Sequence, residues 1–537
     1  MPPADRFSKK WLLLLIPAAF VLLLLVTGAY IYFWPQRIED RLRKSLTEAL
    51  VDRFRSDVDL KTIHIRVFAS PNVTGEGLAL YYHGRKDVAP LIQIEKFSFT
   101  VGIVGLLRPV KHISLVRVQN MLITIPPREN NNGSNKTQQQ PPRSPAPIGS
   151  PIPKIIVDRV ICDNSDIRIL PKQQGKEPLD WDIHNLLLTS AGANQPFAFR
   201  GNLTNGKPKG EIVTHGRFGP WNADDPGGTP VTGDYDFTHA DLGPFPGIAG
   251  ILSSIGRYSG VLSNLEVDGQ TDTPDFSLDK VGRPVPLHTD FSATVDGTNG
   301  DTYLHPVNAT LIKSLIVAVG RVVRMPEKQG HLISIDATVP NGRIQDFLSL
   351  AINSDKPMLT GPVKIKAKLT IPPGQIRTIE KITLDGEFSV DNGKWSSPEL
   401  REKLESLSRH ALGQPQNDET GSAVSDLNGN FLLQDGILRF RSLQFSVEGA
   451  AIDRAGTYGL LNGALDLSGH LSLQAKLSQT MTGTKSILLK PLDPFFEKKG
   501  YGAVLPISIT GTRENPVFGV TVFHKKFDKH LAGSQKP

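Results

Sequence analysis

The chain has 537 residues, with 60 Lys and Arg against 53 Asp and Glu, and its formal net charge is +7. This small excess, without any basic run interleaved with aromatic residues, argues against nucleic-acid binding. The single cysteine, Cys162, excludes an intramolecular disulfide framework and a thiolate zinc site.

An uncharged apolar segment near the N terminus predicts a membrane anchor. Leu12 to Phe33 contains 22 residues without a charge, about 33 Å as a helix, enough to cross a hydrocarbon core of ~30 Å. The alternative is a cleaved signal peptide, which the length of the run and the lack of a small-x-small site disfavour. The predicted anchor positions, with aromatic residues at both ends, are Trp11, Leu12, Leu15, Phe20, Leu24, Tyr30, Tyr32 and Trp34.

The orientation of the anchor follows from the charges beside it. Basic residues flank the segment on both sides, so the positive-inside rule is nearly balanced. The short basic N-terminal tail favours a cytoplasmic N terminus and an exported large domain. An exported domain with one cysteine fits a bacterial envelope, and we expect one membrane span with the large domain outside the cytoplasm.

The remainder of the chain is predicted to be mainly β. Short apolar runs alternate with polar residues and are separated by many of the 49 Gly and 41 Pro, a pattern typical of strands joined by turns. The predicted regions are a tail and anchor (1–35), a β region with a leading helix (36–125), an Asn/Gln/Pro-rich disordered loop (126–153), a central β region (154–330), a β region with a helix at 398–412 (331–412), a C-terminal β region (413–523) and a tail (524–537).

Two helices are predicted in the β regions. Residues 36–55 carry an apolar stripe at helical spacing. Residues 398–412 follow Ser397 as N-cap, begin with Pro398 and end at Gly413.

Two features of the strand pattern predict departures from a regular sheet. In LIQIEKFSFTV (91–101) the apolar parity changes at Glu95 and Lys96, which predicts a bulge or a crossing of faces. LEVDGQTDTPDF (265–276) and ISITGTRENPVF (507–518) share the spacing of two apolar residues, Gly, Pro and Phe. We interpret them as a repeated strand-turn-strand unit.

The common catalytic templates are absent from the sequence, including G-x-S-x-G, H-E-x-x-H, C-x-x-C and G-x-G-x-x-G after a strand. Asp163, Asp166, Asp180 and Asp182 lack the Gly and distal Glu of a calcium loop, so carboxylates of turns and strand edges are the preferred interpretation. We therefore expect no enzyme, no cofactor and no metal site.

One-faced strands on a membrane anchor allow two packings. A sandwich would close two apolar faces on each other around a dry core. An open, curved sheet would leave its apolar face as a groove, and so large an apolar surface requires a ligand. Alternation alone does not choose between these packings.

Several segments resemble the AsmA family. At the N terminus they are the anchor, the helix after it, FASPNVTGEGLAL (68–80) and LLRPVKHISL (106–115) followed by MLITI (121–125). The more specific likeness is at the C terminus, in LNGNFLLQDGILRFRSLQFSVEGAAIDRAGTYGLLNGALDLSGHLSL (427–473) and LPISITGTRENPVF (505–518).

The resemblance implies a single-pass inner-membrane protein of diderm bacteria with a large periplasmic domain. Its elongated antiparallel β-groove would be similar to those of TamB-like and bridge-like lipid carriers. The implied role is to bind or conduct membrane phospholipid toward the outer membrane, supporting envelope integrity and outer-membrane protein assembly, without catalytic residues. The apolar side chains expected to line the groove are Phe97, Phe99, Val101, Leu438, Phe440, Leu443, Phe445, Val447, Leu471, Leu473, Leu477, Ile507 and Ile509.

A different class of function stays open at this point. The alternative is a non-enzymatic scaffold that steers outer-membrane protein insertion through sheet edges or contacts with assembly proteins. It predicts a sealed apolar core and a discrete protein partner, whereas the lipid hypothesis predicts an accessible apolar face.

Overall fold

The structure is a computed structural model of the chain. It describes residues 39–51, 54, 56–66, 72–81, 86, 89–100, 110–125, 154–170, 179–192, 195–222, 225–245, 247–278, 281–325, 330–352, 356–374, 376–417, 422–512, 515–522 and 525–530. The predicted anchor, the loop at 126–153 and Val101 lie outside the described residues. No helix among the described residues has the length and apolar character needed to cross a membrane.

The described chain is mainly β, and its strands form long, unclosed, largely antiparallel ladders with few helices. The strands are β1 (Asp57–Arg66), β2 (Asn72–Tyr81), β3 (Ile92–Thr100), β4 (Val110–Ile113), β5 (Leu115–Ile125), β6 (Lys154–Ile169), β7 (Leu179–Gly192), β8 (Phe197–Gly206), β9 (Lys209–Phe218), β10 (Pro230–Asp241), β11 (Ile248–Ala249), β12 (Ile251–Val261), β13 (Asn264–Leu278), β14 (Val281–Val295), β15 (Thr302–Leu311), β16 (Ser314–Arg324), β17 (His331–Arg343), β18 (Leu359–Thr360), β19 (Pro362–Ile371), β20 (Thr383–Trp395), β21 (Val424–Gln434), β22 (Ile437–Val447), β23 (Ala450–Gly459), β24 (Ala464–Leu473), β25 (Ala503–Thr512), β26 (Pro516–Val522) and β27 (Lys525–His530).

The helices are α1 (39–51), α2 (Ile344–Ala351), α3 (Thr378–Lys381), α4 (Pro398–Ala411), α5 (Thr484–Leu489) and α6 (Asp493–Phe496), with 3-10 turns at Pro226–Gly228, Leu477–Thr480 and Lys490–Leu492. The chain divides into two compact units. The first holds the residues up to Thr204 and Thr214–Val231, and the second holds Asn205–Val213 and the residues from Thr232 onward. The division falls inside the predicted central region, 154–330.

The first unit contains a departure from antiparallel pairing. β1, β2, β3 and β5 pair in turn as antiparallel neighbours, but β6 runs parallel to β4 and β5. The prediction of a purely antiparallel sheet is therefore wrong here. The physical reason is the intervening segment, 126–153, which exceeds the dozen or so residues that a parallel connection needs.

A packed core lies between α1 and this sheet. Phe97, Phe99 and Cys162 are buried in it, and Leu42 and Leu46 of α1 pack against it. The same helix also holds strand β1 through its polar side chains, because Glu39 accepts from the Ile65 amide (2.9 Å) and Arg43 donates to the Leu60 carbonyl (2.7 Å). Helix α1 thus packs against the core beside β1 and also forms hydrogen bonds to the backbone of β1.

The change of parity in β3 is confirmed as a crossing of faces. Phe97 and Phe99 belong to the core, yet Ile92 and Ile94, of the other parity, also pack against it. Gly77 on β2 and Asn120 on β5 have positive φ (69° and 53°) beside Glu95, and each turns its strand at the same level. The three strands therefore depart from regular geometry at the same level, where β3 passes from one parity to the other.

In the second unit, the strands follow the chain in order. Each of β13 to β27 pairs with its sequence neighbour except the two-residue β18, which pairs with β20 while β17 pairs directly with β19. Each of these pairings is antiparallel. In the described residues, no pairing joins β27 back to the beginning of this ladder.

Helix α4 forms as its sequence predicts. The Ser397 hydroxyl accepts from the Leu400 amide (3.3 Å), Pro398 occupies the first helical turn, and Gly413 follows the helix with φ of 75°. The serine satisfies an amide that has no partner inside the helix.

Two strand predictions are wrong. In the sequence, the apolar alternation of Leu471 and Leu473 continues through Ala475 to Leu477, which predicts one strand. In the structure, β24 ends at Leu473 and Leu477 begins a 3-10 turn. The cause is the buried Asp493 carboxylate, which accepts from the amide and the hydroxyl of Ser478 (2.8 and 2.6 Å) and holds the turn.

The sequence repeat is also not a structural repeat. Residues 265–276 lie within one continuous strand, β13, which passes through Pro274 with two register shifts. Residues 507–518 instead span two strands, β25 and β26, with Gly511 at φ of 95°. Similar turn residues therefore produce a bulge in one copy and a hairpin in the other.

Candidate functional site

The two sides of the second unit's sheet differ in chemistry. On one side, directly paired residues are charged, as in Lys366 opposite Glu387 with 3.6 Å between Nζ and Oε1. On the other side, successive strands place apolar residues opposite one another. We call this side of β17 and β19 to β25 the apolar face.

The apolar face consists of four cross-strand rows, numbered from the end nearest α4. The first row is Gly342, Val363, Val390, Leu427, Phe445, Ile452, Leu471 and Leu505; the second is Val339, Ile365, Phe388, Gly429, Leu443, Arg454, Gly469 and Ile507; the third is Ala337, Ala367, Gly386, Phe431, Phe440, Gly456, Leu467 and Ile509; the fourth is Ile335, Leu369, Leu384, Leu433, Leu438, Tyr458, Leu465 and Gly511.

The fourth row extends beyond β17 toward the N terminus. From Ile335 the direct pairings lead to Gly320, Leu304, Ala293 and Val267. An unbroken line of apolar residues and glycine, with one tyrosine, therefore crosses from β13 to β25.

Helices cover one margin of the apolar face. Leu404 and Ala411 of α4 and Phe496 of α6 form a buried cluster with Val447 and Leu473, against which Phe445, Leu471 and Leu477 pack. A second cluster places Phe347 and Leu348 of α2 against Val363 and Val390. The first row therefore lies beneath helices.

The third and fourth rows belong to neither cluster. Most of their side chains are half-buried, including Phe431, Phe440, Ile509 and Leu369. Because all strands of this unit lie in one ladder, no second sheet of described strands packs on these rows. The part of the face farthest from the helices is an apolar surface without a covering layer in the described chain.

The structure brings nine of the predicted lining residues together on this face or at its covered margin. Leu438, Phe440, Leu443, Phe445, Leu471, Ile507 and Ile509 are in the four rows, whereas Val447 and Leu473 are in the helix-covered cluster. Leu477 joins the same cluster from its 3-10 turn. Phe97 and Phe99 are 8% and 7% exposed in the first unit's core.

No family model, curated protein or solved structure matches the chain.

The segment between β24 and β25 is a second surface of interest that the sequence reasoning missed. Ile487, Leu488 and Phe495 are 71%, 74% and 70% exposed in a segment built from α5, α6 and two 3-10 turns. We call residues 481–501 the C-terminal tip. Its run SILLKPLDPFF, with apolar residues that match neither strand nor long-helix spacing, was the available signal.

The C-terminal tip carries more positive than negative charge. Its exposed lysines are Lys485, Lys490, Lys498 and Lys499. Both of its acids have partners. Asp493 is buried against Ser478, whereas Glu497 is exposed and pairs with Lys476 (3.3 Å). Exposed apolar side chains here stand beside lysines.

The aspartates considered as a cation site are separated by the structure. Asp180 pairs with Arg168 (2.8 Å), while Asp166 and Asp182 face each other across β6 and β7 beside a cavity of about 330 Å³. Burial and the Asp182 charge raise the pKa of Asp166. No group of three or more potential ligands is present among the described residues.

We expect Cys162 to resist thiol reagents in the folded chain. It is 1% exposed on β6, and burial, with a smaller contribution from Asp163, raises its pKa from 9.0 to about 12. Reaction with a chromogenic disulfide at pH 9 should be slow until denaturant unfolds the first unit, since the thiolate is the reactive form. Fast native labelling would contradict this burial.

The same thiol predicts a direction of pH dependence. Above about pH 9 the unfolded thiol ionises, whereas the folded thiol stays protonated until about pH 12. Its contribution to stability is present below pH 9 and is lost as the pH rises toward 12. C162A should show a smaller decrease in unfolding free energy over that interval.

Proposed function

We propose that the chain binds phospholipid on its apolar face and carries it between membranes, anchored in the inner membrane by its N-terminal segment. The observation that supports this most is the uncovered pair of apolar rows, the third and the fourth, along the sheet of the second unit. An apolar surface of this extent needs a ligand. Beside a membrane, acyl chains are the abundant apolar ligand.

The dimensions suit acyl chains. Strands lie ~4.8 Å apart, so the ladder from β12 to β27 would extend for about 65 Å, room for several lipids in sequence. Each buried methylene contributes about 0.8 kcal/mol, so one 16-carbon chain gains on the order of 10 kcal/mol. That gain is enough to hold a lipid. Because the gain is spread along the apolar face, the lipid could advance along the face in small steps.

We further propose that the C-terminal tip contacts an anionic membrane. Ile487 and Leu488 would enter the interface while the four lysines meet anionic headgroups, each worth about 1 kcal/mol near such a surface. This places a membrane contact in the same unit as the apolar face. Delivery toward the outer membrane, with its effects on envelope integrity and outer-membrane protein assembly, is the role that this arrangement would serve.

The test is lipid analysis of the purified full chain. After extraction in mild detergent and extensive washing, we expect phospholipid to remain bound in at least a one-to-one ratio, measured by mass spectrometry with phosphate assay. A single-span membrane protein of similar size, prepared in parallel, controls for annular lipid. Phospholipid no higher than in that control would refute the proposal, and a discrete crosslinked protein partner would then favour the scaffold alternative.

A further inference from the structure

One charged side chain interrupts the apolar face. Arg454 lies near the middle of β23, on the same side as Ile452 and Gly456. It pairs directly with Leu443 on β22 and with Gly469 on β24. The alternation in AIDRAG (451–456) already places this arginine at an apolar position, a signal that the sequence reasoning did not use.

No other charged residue occurs in the four rows. Charged residues elsewhere on this side of the described ladder, such as Arg283 and Arg324, lie near the ends of their strands, and Arg283 donates to Ser349 of α2 (3.3 Å). Arg454 is therefore exceptional in being placed mid-strand.

The guanidinium of Arg454 lacks a partner on one side. Its Nη1 atom is buried and has no hydrogen-bond acceptor in the structure. Burial also lowers the pKa of the Arg454 guanidinium, although arginine remains protonated in proteins. A buried donor without an acceptor is costly, and more so when it is charged.

The residues paired with Arg454 supply no anion for its guanidinium. Gly469 faces Arg454, and Gly456 follows on the same side of β23, so neither position provides a side chain. The remaining neighbours, Leu443 and Ile452, are hydrocarbon. An incoming group would therefore meet a cation framed by apolar side chains.

We propose that Arg454 binds the phosphate of a phospholipid whose acyl chains lie on the apolar face. This inference rests on the proposed function and adds to it the point at which the headgroup is recognised. The planar guanidinium offers paired N–H donors, which match two phosphate oxygens at once. The neighbouring rows offer hydrocarbon contacts on both sides, so one site holds both halves of an amphiphile.

The experiment compares two lipids that differ only in the phosphate headgroup. Phosphatidylglycerol and diacylglycerol with the same acyl chains are titrated into the full chain in detergent, each with a fluorescent acyl label. We expect phosphatidylglycerol to bind about tenfold tighter. R454M should remove this difference by weakening phosphatidylglycerol alone, and R454K should retain part of it, because lysine keeps the charge but not the paired donors.

R439M is the matched control, because Arg439 is an exposed arginine on the charged side of β22. It should bind both lipids as the wild type does. Thermal unfolding of each variant checks folding, and if R454M does not fold, the two lipids on the wild type and on R454K still decide the assignment. Displacement of phosphatidylglycerol by millimolar inorganic phosphate would support the anion site and show that free phosphate also fills it.

Failures of the two proposals differ. If the wild type binds neither lipid, the proposed function is wrong and the headgroup site falls with it. If the wild type binds both lipids equally, or R454M keeps the full preference for phosphatidylglycerol, only the assignment of Arg454 is overturned.

Discussion

F440D is expected to empty the apolar face of lipid while leaving the fold intact. Phe440 is in the third row, opposite Phe431 and Gly456, and is half-buried without belonging to a packed cluster. A carboxylate at this position would lose its hydrating water when an acyl chain binds, and this loss is costly. It therefore disfavours binding of the acyl chain. We expect phospholipid recovered with the purified chain to fall about tenfold, with a melting temperature within a few degrees of the wild type.

F445D is expected to behave differently although it lies on the same strand. The Phe445 ring meets Trp395 edge-on at 6.3 Å and packs against the cluster beneath α4. Loss of a packed phenylalanine costs about 3–5 kcal/mol even without a new charge. F445D should therefore lower the urea midpoint or prevent folding, which makes it unsuitable for testing lipid binding.

Q444D separates these effects from the addition of charge alone. Gln444 is exposed on the opposite side of β22, next to Phe445 in sequence. We expect lipid content to stay at the wild-type level and stability to fall only slightly, because the new carboxylate lies opposite Asp453 on β23. Full lipid recovery with F440D would contradict the lipid role of the third row.

Alternation predicts which side chains share a face, and much of the fold followed from it. The change of parity between Phe440 and Leu443 in the sequence appears as a register shift within one strand, β22. Ser397 and Gly413 marked the ends of α4 because capping is a local property of the chain.

What covers a face is a long-range property, and the sequence did not predict it. Phe97 and Phe445 have the same pattern as Phe440, yet the first is buried in a core that α1 packs against and the second lies at the margin covered by α4. The contacts that decide this join residues far apart in the chain, such as Leu404 and Leu473. Likewise, local alternation favoured a strand through Leu477, but the distant Asp493 carboxylate stabilises a turn there.

The double variant I487D/L488D is expected to weaken attachment of the C-terminal tip to anionic vesicles strongly. Both side chains are more than 70% exposed in the structure, so replacing them removes little packing. Burial of two such side chains at a membrane is worth roughly 3 kcal/mol, and their loss should weaken binding about a hundredfold. Flotation of the full chain in nanodiscs with phosphatidylglycerol vesicles measures this directly.

Two controls separate the contributions to vesicle binding. One separates the C-terminal tip from the rest of the chain, and the other separates the apolar side chains of the tip from its lysines. I376D changes an isoleucine that is 64% exposed between β19 and β20, outside the tip, and should bind as the wild type does. Replacing the four tip lysines by glutamine should weaken binding to phosphatidylglycerol vesicles and leave weak binding to phosphatidylcholine unchanged, because only the former surface is charged. Wild-type flotation by I487D/L488D would exclude the tip as the membrane contact. That result would not test lipid binding on the apolar face, because the two surfaces consist of different residues. F440D tests lipid binding on the apolar face.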